Sequence, residues 1–458
     1  MNMDSQAGPS PREEDSDEPK KENETFKESM RVSLFFDGTA NNRTNVQLGK
    51  EGKRPFLGKI TSQLAGSYEN DYSNIAKLEG CYVKDEQADH STSIYVEGIG
   101  TRDGRSDSLM GLAFGKGGTG VIAKVKKGIG LILMRIKKKI RKKGKQIDYI
   151  YLDAFGFSRG AAAARYFIYA AMEDAGKTLK DQLEKDKYTL HQAIEVKFIG
   201  LFDTVASYGL KHKNDTEDLH LDSITLADYV LQLAAADEHR EKFRLTNIKS
   251  SVDESKGCEI FLPGAHSDIG GGYVDGADEG RILFMKLDGL VGVGGTIDDN
   301  AERAALKREK KWLIEEGWCT EEKEIEAIND LVYDPQGMVY FRGELRVTRG
   351  KIHNTYSLIP MHIMAEFAKV KDVVLDLSRH PIPSALDSVK TEIYGKRPNP
   401  GSTGTFLNKA WSPPSEEIKK LRHGYCHLSA YYGTLSNNPQ FTKDGPVYGI
   451  RERIIQDG

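Results

Sequence analysis

The chain has 458 residues, 38% of them hydrophobic and 29% charged, enough apolar material for one enlarged catalytic domain or two domains. Its 65 basic and 68 acidic side chains nearly cancel to a net charge of -3, so bulk charge points to no partner class and only local clusters inform. No run of about 18 apolar residues and no basic-then-apolar start occurs, so neither a membrane-spanning helix nor a secretory leader is expected, and a soluble product of the cytoplasm is predicted.

Residues 1–30 are rich in Asp, Glu, Lys, Ser and Pro and nearly lack large apolar side chains, so they cannot offset the entropy of ordering; a disordered tail is expected. At Arg31 the character changes. Val32-Ser33-Leu34-Phe35-Phe36 reads as a strand and Asp37-Gly38-Thr39-Ala40-Asn41-Asn42 as its turn-rich exit. Further strands are expected at 93–97, 148–155, 195–202 and 258–262, with helices near 121–142, 159–174 and 224–239 between them. This alternation over 31–275 predicts an α/β domain, a mostly parallel sheet covered by helices on both faces. Residues 276–375 look inserted, mixing a glycine-rich stretch (Gly289 to Gly295), a charged helix (Asn300 to Glu316) and an apolar helix near Leu358 to Val370; a lid or membrane-contacting region is expected there. In 376–458, Pro381, Pro383, Pro398, Pro400, Pro413 and Pro414 argue for extended segments packing on the domain instead of long helices.

The strand Asp148 to Phe155 runs directly into Gly156-Phe157-Ser158-Arg159-Gly160, and Ala161-Ala162-Ala163-Ala164 starts a helix. In such a nucleophile elbow the serine sits at a strained backbone conformation, and its neighbours two residues away must be nearly free of side chain to avoid collision. GxSxG alone is a weak signal, and the bland alternative is a glycine-flanked surface turn. Strand before and helix after make it an α/β-hydrolase-like elbow with Ser158 as nucleophile. The turn also aims the hydroxyl at a helix start, where backbone N–H groups can hold an oxyanion.

Serine needs a base that is itself oriented by an acid, and in this fold the chain order is Ser, then Asp or Glu, then His. The strand Glu195 to Phe202 ends at Asp203, which puts a carboxylate at the same sheet edge as Ser158; the bland reading is a turn cap. The strand Cys258 to Leu262 is followed by Pro263-Gly264-Ala265-His266-Ser267-Asp268-Ile269-Gly270-Gly271-Gly272-Tyr273, which places His266 as base on a glycine-rich loop beyond a strand end. His427, in Tyr425-Cys426-His427, is the rival base.

These segments, Phe35 to Asn42, Gly156 to Ala161, Leu201-Phe202-Asp203-Thr204-Val205 and Pro263 to Tyr273, resemble the α/β-hydrolase domain of the first family of bacterial type VI secretion lipase effectors. The likeness covers roughly residues 31 to 275, and Asn354 to His362 looks like a later family segment. The resemblance implies Ser158, Asp203 and His266 as the triad and phospholipase A cleavage of membrane glycerophospholipids, without a cofactor. It further implies an antibacterial toxin exported without a signal peptide into a rival's periplasm, with an immunity protein and a secretion-spike protein as partners. A carboxylesterase for a soluble ester and a non-catalytic cargo module on a hydrolase scaffold are the alternatives. The chain departs from the family in its N-terminus, in the segment around 281 to 300 and in an unusually basic helix. The Asp37-Gly38-Thr39 loop matches the position that offers a second backbone oxyanion donor, from Gly38 or Thr39, beside the N–H of Arg159. Asp37 either takes part there or braces the loop; Asp268 is a further supporting carboxylate.

Other signals lead elsewhere. Gly115-Lys116-Gly117-Gly118-Thr119-Gly120 fits GxGxxG, but no strand leads into it and no acidic residue lies between Asp107 and Asp148 to hold a ribose. That acid-free stretch carries twelve Lys and Arg from Lys116 to Lys145 among apolar residues. It reads as a sheet-covering helix with a solvated basic end, or as a dock for anionic lipid headgroups; no nucleic-acid fold accompanies it. A metal hydrolase on Asp37, Asp203, His266 and Asp268 lacks HExxH-type spacing and leaves the elbow without purpose, so no metal is expected. Cys81, Cys258, Cys319 and Cys426 lie far apart and read as buried thiols.

Overall fold

In chain order the strands are β1 (Glu28–Phe36), β2 (His90–Val96), β3 (Gln146–Phe157), β4 (Thr189–Leu190), β5 (Ile194–Phe202), β6 (Val230–Ala235) and β7 (Leu245–Thr246). They continue as β8 (Gly257–Leu262), β9 (Ala277–Val291), β10 (Ile325–Tyr333), β11 (Val339–Ile352), β12 (Gly404–Phe406) and β13 (Ile455–Gln456). The computed structural model describes residues 28–53, 66–108, 117–140, 146–206, 219–291, 299–406, 411–433, 437–442 and 451–458. Residues 1–27 of the expected tail, most of the Gly289 to Gly295 stretch, Gly115-Lys116 and Arg141 to Lys145 lie outside these residues, whereas Glu28 to Met30, expected in the tail, already belong to β1, where Met30 is buried.

An eight-stranded sheet runs in the order β12-β8-β6-β5-β3-β1-β2, with β4 beside the start of β3. Every pairing in it is parallel, so all strand ends point to one edge. Successive side chains of a strand face opposite ways, and β1 divides accordingly. Leu34 and Phe36 enter a core with Ile132, Ile136 and Ala163 from the helices Val121–Lys139 and Arg159–Met172. Phe35 enters the other, stacked on Phe155 at 4.6 Å, with Met364 and Phe367 of the helix Leu358–Lys369. Burial on both faces explains why the central strands read as near-continuous apolar runs.

The sequence reading of 224–239 as a helix is corrected. A 3₁₀ turn occupies Leu221–Leu226, and Val230–Ala235 is strand β6, wholly buried between β5 and β8. A short apolar run carries no period that separates a buried strand from a buried helix, and here both neighbours demand a strand. The prolines of the last 80 residues do not exclude helix either. They bracket two ten-residue helices, Asp387–Lys396 and Glu416–Tyr425, with Pro413 and Pro414 just ahead of the Ser415 cap.

Within 276–375, β9, β11 and β10 form an antiparallel sheet against the helix Asp299–Glu315. Its Phe284, Leu306, Trp318 and Phe341 belong to the same continuous core as Phe155 and Ile260 of the main sheet. The inner side of the region is therefore a fixed layer, while the outer hairpin exposes Leu331, Val332, Tyr333 and Met338.

The helix Val121–Lys139 covers the sheet with Val125, Ile129, Ile132 and Ile136. It joins the end of β2 to the start of β3, two strands that run the same way, so it runs against them. Its basic end, Lys137 to Lys139, consequently lies at the edge opposite Ser158, with Lys137 paired to Asp186. All four cysteines are buried and free. Among the described residues no helix is long and apolar enough to cross a membrane.

A buried ion pair ties the sheet to the chain that follows the helix Leu358–Lys369. The Arg31 guanidinium donates to both oxygens of Asp153, at 2.8 and 2.9 Å, and also to Asp85 and to the Lys371 carbonyl. Burial pushes the Asp153 carboxyl above its usual value even with Arg31 and the Ser33 hydroxyl on it. Removing one partner leaves the other charge buried and alone. Arg31→Met is expected to lower unfolding free energy by about 3–5 kcal/mol in urea titrations, and a loss within error of zero would refute this account of the pair.

Candidate active site

Ser158 follows β3 directly and precedes the helix Arg159–Met172, at φ 58° and ψ -127°, a left-handed conformation a serine adopts only under constraint. Both flanking glycines are required by contact. A Cβ on Gly156 would lie 2.5 Å from the Ala161 Cα, and one on Gly160 would lie 2.3 Å from the Asp37 carbonyl oxygen. The helix start thus presses against the end of β1, at the point where the connections turn to opposite sides of the sheet, β1 to β2 one way and β3 to β5 the other.

Ser158 N–H donates to the Phe202 carbonyl at 3.0 Å, so the serine lies alongside the end of β5, where Asp203 follows at φ 47°. Asp203 Oδ2 meets His266 Nδ1 at 2.5 Å, and both side chains are buried. Asp203 Oδ1 accepts from Ala235 N–H at 2.8 Å, while Arg453, from the far end of the chain, grips both carboxylate oxygens at 2.5 and 2.8 Å. Burial pushes the Asp203 carboxyl up, but Arg453 and His266 outweigh it and hold the group below the usual range. Burial likewise draws the His266 imidazole below its usual value, against the pull of Asp203. Glu238, fully buried, accepts from the His266 backbone N–H at 3.2 Å and is clamped by Arg240, whose guanidinium lies 3.3 Å over the Phe243 ring. Phe243 in turn meets the His266 ring edge-on at 5.0 Å.

The Asp37-Gly38-Thr39 loop, expected to offer a second oxyanion donor, is held from within by Asp37. Asp37 accepts from its neighbour Gly38 N–H at 2.7 Å, from Ser73 Oγ at 2.6 Å and from Tyr95 Oη at 2.6 Å. It braces the loop, and it occupies the Gly38 N–H. Burial raises its carboxyl against those three bonds. Thr39 Oγ1 accepts from Arg159 Nε at 2.7 Å, joining the loop to the elbow. His427 pairs elsewhere: its Nδ1 meets Asp268 Oδ1 at 2.7 Å, and its ring stacks on Tyr273 at 3.7 Å. Asp268 also accepts from Ala265 N–H at 2.8 Å, so it fixes the loop that carries His266. The sequence reading brought forward Ser158, Asp203 and His266, which the fold gathers at one edge, and missed Arg453, Glu238 and Arg240. Among the described residues no group of three or more His, Cys, Asp and Glu side chains could hold a metal ion.

Phe157, next to the serine, is clamped. Its ring sits 4.6 Å from the His266 ring, and Cβ atoms on Gly38 and Gly270 would reach its two edges at 2.5 and 2.1 Å. With both edges closed the ring cannot yield to an added methyl group. Gly270→Ala is expected to cost about 1–3 kcal/mol of stability and to lower turnover further than that loss of folded protein explains. A variant with full stability and full turnover would show that the clamp has slack.

Residues 169–291 match the family model described as T6SS, phospholipase effector Tle1-like, catalytic domain. The span includes Asp203 and His266 and begins after Ser158. No curated protein matches the chain. A solved structure of the Tle1 effector bound to the VgrG spike from the type 6 secretion system is similar over 88% of this chain and 85% of that one, at 22% identity and a TM-score of 0.58. A crystal structure of an uncharacterized protein from Pseudomonas aeruginosa overlaps 54% of this chain and 42% of its own, at 20% identity and a TM-score of 0.33. The fold is that of the solved Tle1 effector, and residues 169–291 are similar to the catalytic domain of the Tle1-like phospholipase effectors of type VI secretion.

Proposed function

We propose that the chain is a serine-dependent phospholipase A, cleaving an acyl ester of membrane glycerophospholipids from Ser158, with His266 as base and Asp203 as its orienting acid. The observation that carries this reading is the strained Ser158 on the same sheet edge as a buried Asp203–His266 pair. In the proposed reaction Ser158 Oγ attacks the ester carbonyl carbon while His266 Nε2 takes its proton. Backbone N–H groups of Arg159 and Thr39 receive the oxyanion. Collapse breaks the ester C–O bond, and His266 returns the proton to the departing lysophospholipid oxygen, leaving an acyl group on Ser158. Water then attacks that group while giving a proton to His266; the acyl C–Oγ bond breaks, His266 returns the proton to Ser158 Oγ, and the fatty acid leaves.

In this reading the sheet topology supports one substrate face. The bilayer must approach the edge that bears Ser158, and the basic end of the helix Val121–Lys139 lies at the other edge, which favours its scaffold role. Export by type VI machinery on a spike protein, action in a target cell's periplasm and protection of the producer by an immunity protein belong to the same proposal. Their support is the family match together with the spike-bound state of the solved Tle1 effector.

Phospholipids labelled at one acyl position, given to wild type and Ser158→Ala, test the reading directly. Ser158→Ala and His266→Ala should each cost about 10³-fold or more in turnover, and the two together little more than either alone. Asp203→Ala should also fall by orders of magnitude, and chelators should leave the rate unchanged. Activity kept in His266→Ala and lost in His427→Ala would move the base to His427. Because burial draws the His266 imidazole below its ordinary 6.5, the imidazole stays neutral and competent to lower pH. The acid limb of kcat/KM is therefore expected below pH 6.5; a limb above it would contradict the burial account.

A further inference from the structure

The chain segment 451–458 is held on both sides of Arg453. Before it, Arg451 is buried against Glu309 and the Phe284 and Ala430 carbonyls. After it, β13 pairs with β7, and Leu245 N–H donates to the Ile454 carbonyl at 2.9 Å. Between these anchors the Arg453 side chain, 5% exposed, reaches the end of the main sheet. Its donors are all spent: Nη1 on Asp203 Oδ1 and the Ala235 carbonyl, Nη2 on Asp203 Oδ2 and the Phe243 carbonyl, and Nε on the Phe243 carbonyl. A guanidinium used this completely is a fixed part, not an adjustable surface charge.

We propose that Arg453 is a positioning residue of the active site, holding Asp203 ionised and in the one plane that aims Oδ2 at His266 Nδ1. The inference rests on the serine-hydrolase reading above and deepens it. Orientation comes from the two-point grip, which stops the carboxylate from rotating about its Cβ–Cγ bond. Charge comes from a simple count. Around the Asp203–His266 pair stand two negative groups, Asp203 and Glu238, and two positive ones, Arg240 acting on His266 and Arg453 on Asp203; Glu259, on which Arg453 also acts, is pushed toward its neutral form by burial. Without Arg453, two carboxylates would face one guanidinium around the imidazole. The Asp203–His266 pair would then hold its proton more tightly, whichever of the two carries it. A protonated His266 is no base, and a protonated Asp203 no longer fixes the tautomer that presents Nε2 to the serine.

The test compares wild type with Arg453→Met, Arg453→Lys and Asp203→Asn, and with the Arg453→Met/Asp203→Asn double variant, on the same labelled phospholipid. Arg453→Met should lose on the order of 10-fold or more in kcat with KM little changed, and its acid limb of kcat/KM should move up by on the order of 1 pH unit. Arg453→Lys keeps the charge and loses the two-point grip, so it should recover the wild-type limb while regaining only part of kcat. In the Asp203→Asn background, Arg453→Met should add little further loss, because the group it acts through is gone. If Arg453→Met does not fold, the lysine variant and the double variant, in which both buried charges are removed together, still decide. A wild-type limb and kcat in Arg453→Met, or a loss that adds in full to that of Asp203→Asn, overturns the proposal. Ser158→Ala is the control: if it retains activity, the serine-hydrolase reading itself has failed, whereas an inactive Ser158→Ala beside unaffected Arg453 variants removes only the role of Arg453.

Discussion

Because every strand of the main sheet runs the same way, everything that follows a strand end is delivered to one edge. Ser158 arrives there from β3, Asp203 from β5, Glu238 and Arg240 from β6, and His266 from β8. No long-range design is needed to collect them, only strands of matched register. The same constraint sends the opposite helix ends, including the basic Lys137 to Lys139, to the far edge. Which groups can cooperate chemically is thus decided at the level of sheet direction, before any side chain is placed.

Two residues at that edge, Ser158 and Asp203, hold backbone angles that ordinary residues avoid, and each such departure costs on the order of 1–3 kcal/mol. The surrounding packing over-determines them. Gly156 and Gly160 admit the helix and the end of β1 at contact distance, and the core on each sheet face fixes β3 and β5. Low polarity then strengthens every interaction in the site: the Asp203–His266 bond, the Arg453 grip and the Glu238–Arg240 pair are all buried, and each charge is matched by an opposite one. An unmatched charge there would be more costly than any of these contacts is favourable.

Much of this was legible in the sequence, for physical reasons. An elbow needs its glycines within two residues of the serine, and Asp203 and His266 directly follow apolar runs long enough to be strands, so local spacing carried them. What the spacing could not carry was either ambiguous or distant. Val230–Ala235 has the apolar density of a helix and the length of a strand, and reading it as a helix hides the Asp237 to Arg240 run, which a strand there would place at the Ser158 edge. Arg453 stands 250 residues from Asp203, in a segment with no motif, and its place follows only from β13 finding β7. Sequence alone leaves Asp37 between two roles, and its three hydrogen bonds are those of a brace.

The buried thiols have a consequence for a protein whose proposed path crosses compartments of different redox poise. Burial pushes the Cys258 and Cys319 thiols up to about 12 and raises those of Cys81 and Cys426 as well. The thiolate is the species that attacks a disulfide or an oxidant, and at neutral pH almost none of it is present at these four positions. The covalent structure is therefore the same in a reducing and in an oxidising solvent, so passage from one to the other requires neither a disulfide to be made before the site can work nor a thiol to be protected on the way.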